Sequence, residues 1–459
     1  MRPDFTALRE SVRGTVLTAY DTGYEPARVL FNTRIRTRPA ALCRCADTAD
    51  VVAAVRFARD TGMPFAVRGG GHNASGLCLV QDGLVIDVGG LRALDADPDA
   101  DPPTVTVGPG IGWRDIDAVT YVEHGLAAPG GECPTVSNAG YSLGGGYGPL
   151  TRRFGLGCDH LVAAEVVDAA GQVLTVSADE HPDLFWALRG AGGAGFGVVT
   201  RLTYRLNAVP PIMMTGIMAW PIAQGKDVFR AYRDLYADSD DDRLALSLLL
   251  STDPYPDGEP AIAVYGLYVG SVEDAEAALA PIRAIGEPLY DAFEPGSYLE
   301  FAHALGEEIP YGLQSKWRGG YFRNDRFDEA AFDTMLEHFA GAPSGFSMVR
   351  FDLLGGGAVA RVPAGATAFA HRGSTHYVSL IALWQEDDES GANVDWVDRF
   401  ADDLRPALTG EVYQNYADRD LEDWPAAYYG AHYPRLQEVK ARYDPDNLFR
   451  HGQSIAAAR

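Results

Sequence analysis

Hydrophobic and polar positions along this chain switch between helical and strand periods in the order expected of a mixed fold. Over 47–67, DTADVVAAVRFARDTGMPFAV, Val51, Val52 and Val55 form an apolar stripe. Asp47 or Thr48 can cap the helix, and Gly62 ends it before a strand. GLVIDVGGL (83–91) and TVTVGPG (104–110) read as short strands closed by glycines, with the acidic loop DADPDADPP between them. A helix is predicted over 113–126, a glycine-dense segment over 130–157 and a β run over 161–177. A proline-started helix follows at 181–190, and a strand at 197–206 closes this α+β region.

At NAVPPIMM (207–214) the texture changes. Alternating runs such as RLALSLLLST and AIAVYGLYVG, helical patterns at 272–285 and 326–341, and the strand HYVSLIALWQ (376–385) predict a second unit. That unit is expected to be a mainly antiparallel sheet with helices. From about 410 the chain carries EVYQNYADRDL, a predicted helix at 428–443 and the turn DPDN. Periodicity alone does not assign this tail to either unit.

The length of 459 residues supports two domains. The net charge of −25 argues against nucleic acid or an anionic membrane as partner, because both reward a basic face. The first 26 residues carry no apolar run suited to a signal peptide, and no window resembles a membrane span, so a soluble cytoplasmic protein is expected. The cysteines, at 43, 45, 78, 133 and 158, are too scattered for a disulfide framework, and CRC lacks a second ligand pair for zinc. No metal is expected.

Gly190, Gly192 and Gly195 in RGAGGAGFG match G-x-G-x-x-G, but a helix precedes them and a strand follows. The dinucleotide fingerprint needs the reverse order, so a tight helix-to-strand turn is expected and a nicotinamide dehydrogenase is disfavoured. Two other glycine-rich stretches carry soft nucleophiles. AVRGGGHNASG presents His72 after Gly69, Gly70 and Gly71, and GGECPTVSNAGYSLGGGYG presents Cys133 after Gly130 and Gly131. Either alone reads as structural. Together they are two glycine-cleared approaches, each with a side chain able to bond an electrophilic cofactor.

Four separated motifs, RGGGHNASG, CPTVSNAGYSLGGGYGPLTRRFGL, DLFWALRGAGGAGFGVVT and YQNY…RYDPDNLFRHGQSI, resemble the berberine bridge enzyme-like FAD-linked oxidases of the vanillyl-alcohol oxidase fold group. Within that family the chain is most similar to bacterial oxidases of sugars and glycosylated secondary metabolites. The resemblance implies an FAD-binding domain in two parts, 1–207 and 410–459, with a substrate domain, 208–409, inserted between them. It implies FAD bonded through His72 and Cys133, an arrangement expected to raise the flavin potential. Arg68 is expected to neutralise the diphosphate. Asn73, Gly76, Gly131, Thr135, Asn138, Gly140, Gly144, Gly145, Gly146, Gly148, Gly195, Val198 and Asn415 are expected around the cofactor. Val136 stands where the family gates oxygen access, and valine resembles the oxidases. Ala194 stands where relatives commonly carry a polar residue.

The implied chemistry is oxidation of CH–OH to a carbonyl. Tyr416 would act as base, Tyr147 would support it, and Tyr413 and Tyr377 would stand nearby. Hydride would pass to flavin N5, and O2 would then be reduced to H2O2. A free phenol has a pKa of about 10, so a tyrosine base needs a partner that stabilises its anion. Trp317, Tyr321, Phe322 and Trp384 are candidates for the substrate wall. The alternatives are a dehydrogenase with another acceptor and a non-catalytic metabolite-binding flavoprotein.

Overall fold

The computed structural model describes residues 4–237, 241–307 and 312–458. The first expected helix forms at Thr48–Thr61. The Asp47 side chain accepts the Asp50 N–H, and Gly62 closes the helix in the left-handed region at φ 69°. The strand Phe65–Arg68 follows and delivers the chain to the glycine run. It belongs to a four-stranded sheet in the order Thr15–Thr18, Ala41–Arg44, Leu84–Asp87, Phe65–Arg68. Leu84–Asp87 pairs parallel with both its neighbours, and Thr15–Thr18 pairs antiparallel with Ala41–Arg44.

A second, five-stranded antiparallel sheet joins Leu94–Asp97, Thr104–Val107, Val198–Arg205, Leu161–Val167 and Val173–Ser177. Helix Trp113–His124 packs its stripe Trp113, Ile116, Thr120 and Tyr121 inward at helical spacing, and Gly125 ends it at φ 68°. Helix Pro182–Ala191 leads into the turn at 190–197 and then into Val198–Arg205. The order is therefore helix, glycines, strand. Gly190 sits at φ 123°, and a Cβ there would collide with the backbone of Phe369.

From Met213 onward the chain builds a larger, eight-stranded sheet with antiparallel pairing throughout. Phe229, Tyr232, Leu279, Phe332 and Trp396 from its helices share a core with Leu248, Val264 and Leu380 of the strands. The tail behaves differently from its sequence pattern. Instead of one helix over 428–443 there are two, Trp424–Tyr429 and Tyr433–Tyr443. Gly430 at φ 48° and Pro434 in the first turn of the second helix break the run. Val412, Tyr428, Leu436, Val439 and Ile455 of the tail enter the core built on the five-stranded sheet. Lys440 fixes this return. Its ammonium, fully buried, bonds Asp444 at 2.7 Å and the carbonyls of Gly195 and Phe449 at 2.6 Å.

Candidate functional site

One cavity of about 400 Å³ opens where these parts meet, running from Phe65 and Cys78 past the glycine run to Trp317 and Arg350. The loops 69–71 and 135–137 are in backbone contact along its wall. A Cβ on Gly69 would lie 2.6 Å from Ser137 Oγ, and one on Gly70 would lie 2.7 Å from the Thr135 carbonyl. Gly70 N–H donates to Ser137 Oγ at 2.8 Å. These glycines therefore clear room first for the neighbouring loop. That approach brings His72 and Cys133 onto one wall, with Thr135 Oγ1 2.7 Å from His72 Nε2 and 3.5 Å from Cys133 Sγ. The His72 ring stacks on Phe31 with centroids 4.8 Å apart. Burial, with a smaller contribution from the Arg68 charge, lowers its pKa to about 4, so the imidazole is neutral at physiological pH.

Of the residues expected to bind the cofactor or to act in catalysis, fifteen line this cavity: His72, Cys133, Gly69, Gly70, Gly71, Asn73, Gly131, Val136, Gly140, Gly144, Gly195, Asn415, Tyr147, Tyr413 and Tyr416. The others lie elsewhere. Arg68 turns its guanidinium to the carbonyls of Ala27 and Val29, where the reading from sequence had it facing an anion. Gly76 makes a turn at φ 72° against Ile35. Thr135 sits at the edge of the wall and acts through its hydroxyl. Asn138 is fully buried and donates to the Gly108 and Ile111 carbonyls at 2.8 and 2.9 Å, which makes it a brace. Gly145, Gly146 and Gly148 make room for Phe369, Tyr141 and the Gly130 carbonyl, and Val198 is core. Tyr377 is fully buried behind Tyr416, with ring centroids 5.8 Å apart. Of the expected aromatic wall only Trp317 reaches the cavity; Tyr321, Phe322 and Trp384 are core. Tyr321 and Trp384 end strands with buried positions on both faces, and Phe322 lies just past one, so alternation did not separate the cavity face from the packed one.

Tyr413 lines the cavity with its ring, while its hydroxyl accepts Gly146 N–H at 2.8 Å and Asn415 Nδ2 at 2.9 Å. Gln414 ties the two glycine turns together through the Gly144 carbonyl at 2.7 Å and the Gly190 carbonyl at 2.5 Å. His451 also lines the wall and meets the Gly193 carbonyl at 3.0 Å.

The polar end of the cavity is a chain of short contacts. Tyr416 Oη lies 2.5 Å from Tyr147 Oη, and Tyr147 donates to Asp352 Oδ2 at 2.6 Å. A phenol has one proton, and Tyr147 gives its own to Asp352, so Tyr416 donates to Tyr147. The lone pairs of Tyr416 are thereby left to accept from the cavity. Arg350 Nη2 donates to Asp352 at 3.1 Å, to Glu132 at 3.0 Å and to Tyr265 at 2.8 Å. Burial first, and the Asp352 charge second, push both Tyr147 and Tyr416 above the ordinary phenol range, so both rest protonated. Burial also raises the Glu132 carboxyl, against the pull of Arg350.

Glu132, Arg350, Asp352 and Tyr265 were missed from sequence. A signal for two of them was present. In MVRFD (348–352), Arg350 and Asp352 alternate with Val349 and Phe351, which puts paired charge on one face of a strand whose other face is buried.

The wall fits a large planar cofactor. Gly140 and Gly193 both line it with nothing within 4 Å of a Cβ, so side chains there would project into cavity space. Among the described residues no cluster of metal-ligating side chains occurs, and no helix is long and apolar enough to cross a membrane.

Comparison with known proteins places these features in a family. Residues 39–177 match the FAD binding domain model, and 412–456 match the model described as berberine and berberine like. The chain is 30% identical to (R)-6-hydroxynicotine oxidase of Paenarthrobacter nicotinovorans, covering 97% of each. It is 30% identical to aclacinomycin-N/aclacinomycin-A oxidase of Streptomyces galilaeus, over 93% of this chain and 86% of that one. The solved structure of Physcomitrella patens BBE-like 1 superposes with a TM-score of 0.88 at 26% identity, over 99% of both chains. The expected fold is the observed one, and the chain belongs to the berberine bridge enzyme-like FAD-linked oxidoreductases.

Proposed function

We propose that this oxidoreductase is an oxidase of a CH–OH group on a sugar or on a glycosylated or polycyclic metabolite, with FAD joined through both His72 and Cys133 and O2 as the final acceptor. Residues 1–207 and 410–459 hold the cofactor in this reading, and 208–409 supply the substrate wall. The observation that carries it is the Tyr416–Tyr147–Asp352 chain, which ends at the cavity beside Trp317.

The substrate hydroxyl donates to the open lone pairs of Tyr416. As its proton moves onto Tyr416, the Tyr416 proton passes to Tyr147 and the Tyr147 proton to Asp352. The charge ends on neither phenol, which meets the need for a stabilised base without a lasting phenolate. Arg350 fixes Asp352 in place, and Trp317, with its ring 5.3 Å from that of Tyr416, offers a stacking face for a sugar or ring system. When bound, the flavin supplies the two-electron acceptor for the hydride, and O2 returns it to the oxidised state with release of H2O2. Val136 lines the cavity wall and, in this reading, leaves that approach open.

The test is a panel of oligosaccharides, glycosylated polycyclics and secondary amines, scored for peroxide release under air and flavin bleaching without it. Bleaching by a hydroxyl compound with peroxide release supports the reading. Bleaching without peroxide points to a dehydrogenase, and bleaching by amines alone overturns alcohol oxidation. A yellow acid-precipitated pellet supports covalent attachment, and a colourless one overturns it.

A further inference from the structure

A smaller cavity of about 20 Å³ adjoins the large one, and Glu132 and Tyr147 line both. Arg152, Ser247 and Tyr265 add to its polar wall. A space of that size is room for one water molecule, and these groups are the polar partners such a water needs. Beside it, one guanidinium nitrogen joins two carboxyl groups. Arg350 Nη2 lies 3.0 Å from Glu132 Oε2 and 3.1 Å from Asp352 Oδ1. Asp352 is fully buried, and the Arg350 and Glu132 side chains are 14% and 16% exposed. Two carboxylates against one cation would leave a net negative charge in this setting, so one of the two holds a proton. Asp352 is the better carboxylate, because the Tyr147 hydroxyl donates to it at 2.6 Å in addition to Arg350. Glu132 is therefore the carboxyl. Burial, opposed by Arg350 and assisted by the Asp352 charge, raises its pKa in the same direction. The other titratable groups that face it are the phenols of Tyr141, Tyr147, Tyr265 and Tyr298, all kept protonated by burial, and the Arg152 cation on the wall of the small cavity.

We propose that Glu132 is the exit for the substrate's proton: it shares one proton with Asp352 across Arg350 and discharges through the small cavity; this rests on the reading of Tyr416, Tyr147 and Asp352 as the path of the hydroxyl proton. Before the reaction Asp352 is the carboxylate and Glu132 the carboxyl. When the substrate's proton reaches Asp352, the Glu132 proton passes to water in the small cavity, and Glu132 becomes the carboxylate that balances Arg350. One proton enters and one leaves, so the three groups stay neutral as a set. The pair resets when the Asp352 proton is returned to Glu132. Tyr265 is placed to carry it, handing on its own proton as it takes that one, since its hydroxyl meets Asp352 Oδ1 at 3.5 Å and it lines the small cavity with Glu132.

The first test needs no substrate. The whole chain with FAD bound is produced with glutamate isotopically labelled at its side-chain carboxyl carbon, and the carboxyl signals are titrated by NMR. The Glu132 signal is the one missing from Glu132→Gln, or from Glu132→Asp if the glutamine variant does not fold. Its wild-type midpoint is expected well above the ordinary carboxylate range. Asp352→Asn is expected to lower that midpoint by at least about one pH unit, since Arg350 then has Glu132 as its carboxylate. A wild-type midpoint in the ordinary range, or one that Asp352→Asn leaves unmoved, would overturn the shared proton. The second test follows one anaerobic turnover of the hydroxyl compound in the panel above that bleaches the flavin fastest, with a pH-indicator dye in weak buffer. In wild type the proton is expected to appear with the bleaching. In Glu132→Gln it is expected to appear at least about tenfold more slowly than the bleaching, and Glu132→Asp, which keeps a carboxyl, is expected to bring the two signals together again. Coincident signals in Glu132→Gln, a lag already present in wild type, or a lag that aspartate does not remove would overturn the exit role. A wild type that no hydroxyl compound bleaches overturns the oxidation reading instead, and the titration still judges the shared proton.

Discussion

Tyr416 is a weak base by itself, and its surroundings make it weaker still, since burial and Asp352 both favour the phenol. Its use depends on Tyr147 and Asp352 receiving the proton. Tyr416→Phe is therefore expected to slow flavin reduction by about 10²–10⁴-fold, with substrate binding little changed, as for loss of a general base. Asp352→Asn keeps an acceptor for Tyr147 but not the proton sink, and a smaller loss in the same direction is expected; rapid-mixing reduction kinetics compare the two. That the glycines, His72, Cys133 and the tail tyrosines share one cavity was legible because each lies in a short motif, and the tyrosines were found through the resemblance of theirs to the family's. Asp352, Arg350 and Glu132 were not, because their roles arise from a strand register and a loop more than two hundred residues apart. Arg68 was misread for a similar reason, as its partners Ala27 and Val29 lie at the end of helix Tyr24–Arg28, distant in sequence.

At the scale of elements, two buried charges hold opposite lessons. Asp117 sits on the buried face of helix Trp113–His124, fully inaccessible, with the buried Tyr298 hydroxyl as the polar group that faces it. Burial pushes its pKa well above the usual carboxylate value. The folded state then holds this proton more tightly than the unfolded chain, so stability falls as pH rises above the carboxylate range toward the folded pKa. Asp117→Asn is expected to remove that fall and to raise the thermal midpoint at pH 8 more than at pH 5. Lys440 is the converse, a buried ammonium with Asp444 and two carbonyls around it. Lys440→Met leaves Asp444 buried without its cation and is expected to cost about 3–5 kcal/mol, read by denaturant unfolding. The helix Thr48–Thr61 and most strands followed their sequence pattern because cap, stripe and stop agree there. The tail helix did not, since Gly430 and Pro434 outweigh its periodicity.

Across the whole molecule the cavity lies on a seam, and the loop bearing Tyr416 is pinned from three directions. The Asp418 carboxylate meets Arg318 at 3.1 Å and Lys316 at 3.8 Å from the eight-stranded sheet. Its carbonyl accepts Gln453 Nε2 at 2.7 Å from the tail, and Ser75 donates to the neighbouring Ala417 carbonyl. Strand Gln314–Tyr321 thus presents Trp317 to the cavity on one face and the cations of this junction on the other. Arg318→Met is expected to lower the rate of flavin reduction by loosening Tyr416, with a smaller effect on cofactor retention, measured by reduction kinetics beside bound-flavin content. The two-unit architecture was legible from the change in texture near 207, whereas the seam was not, because no local pattern records which surfaces meet. The most direct measurement is anaerobic flavin reduction by whichever hydroxyl compound in the panel releases peroxide, in wild type and in Tyr416→Phe. Rapid bleaching is expected in the wild type, and at least about a hundredfold slower bleaching in the variant at equal substrate saturation. Equal rates in the two proteins, or a flavin that no hydroxyl compound bleaches, would contradict it.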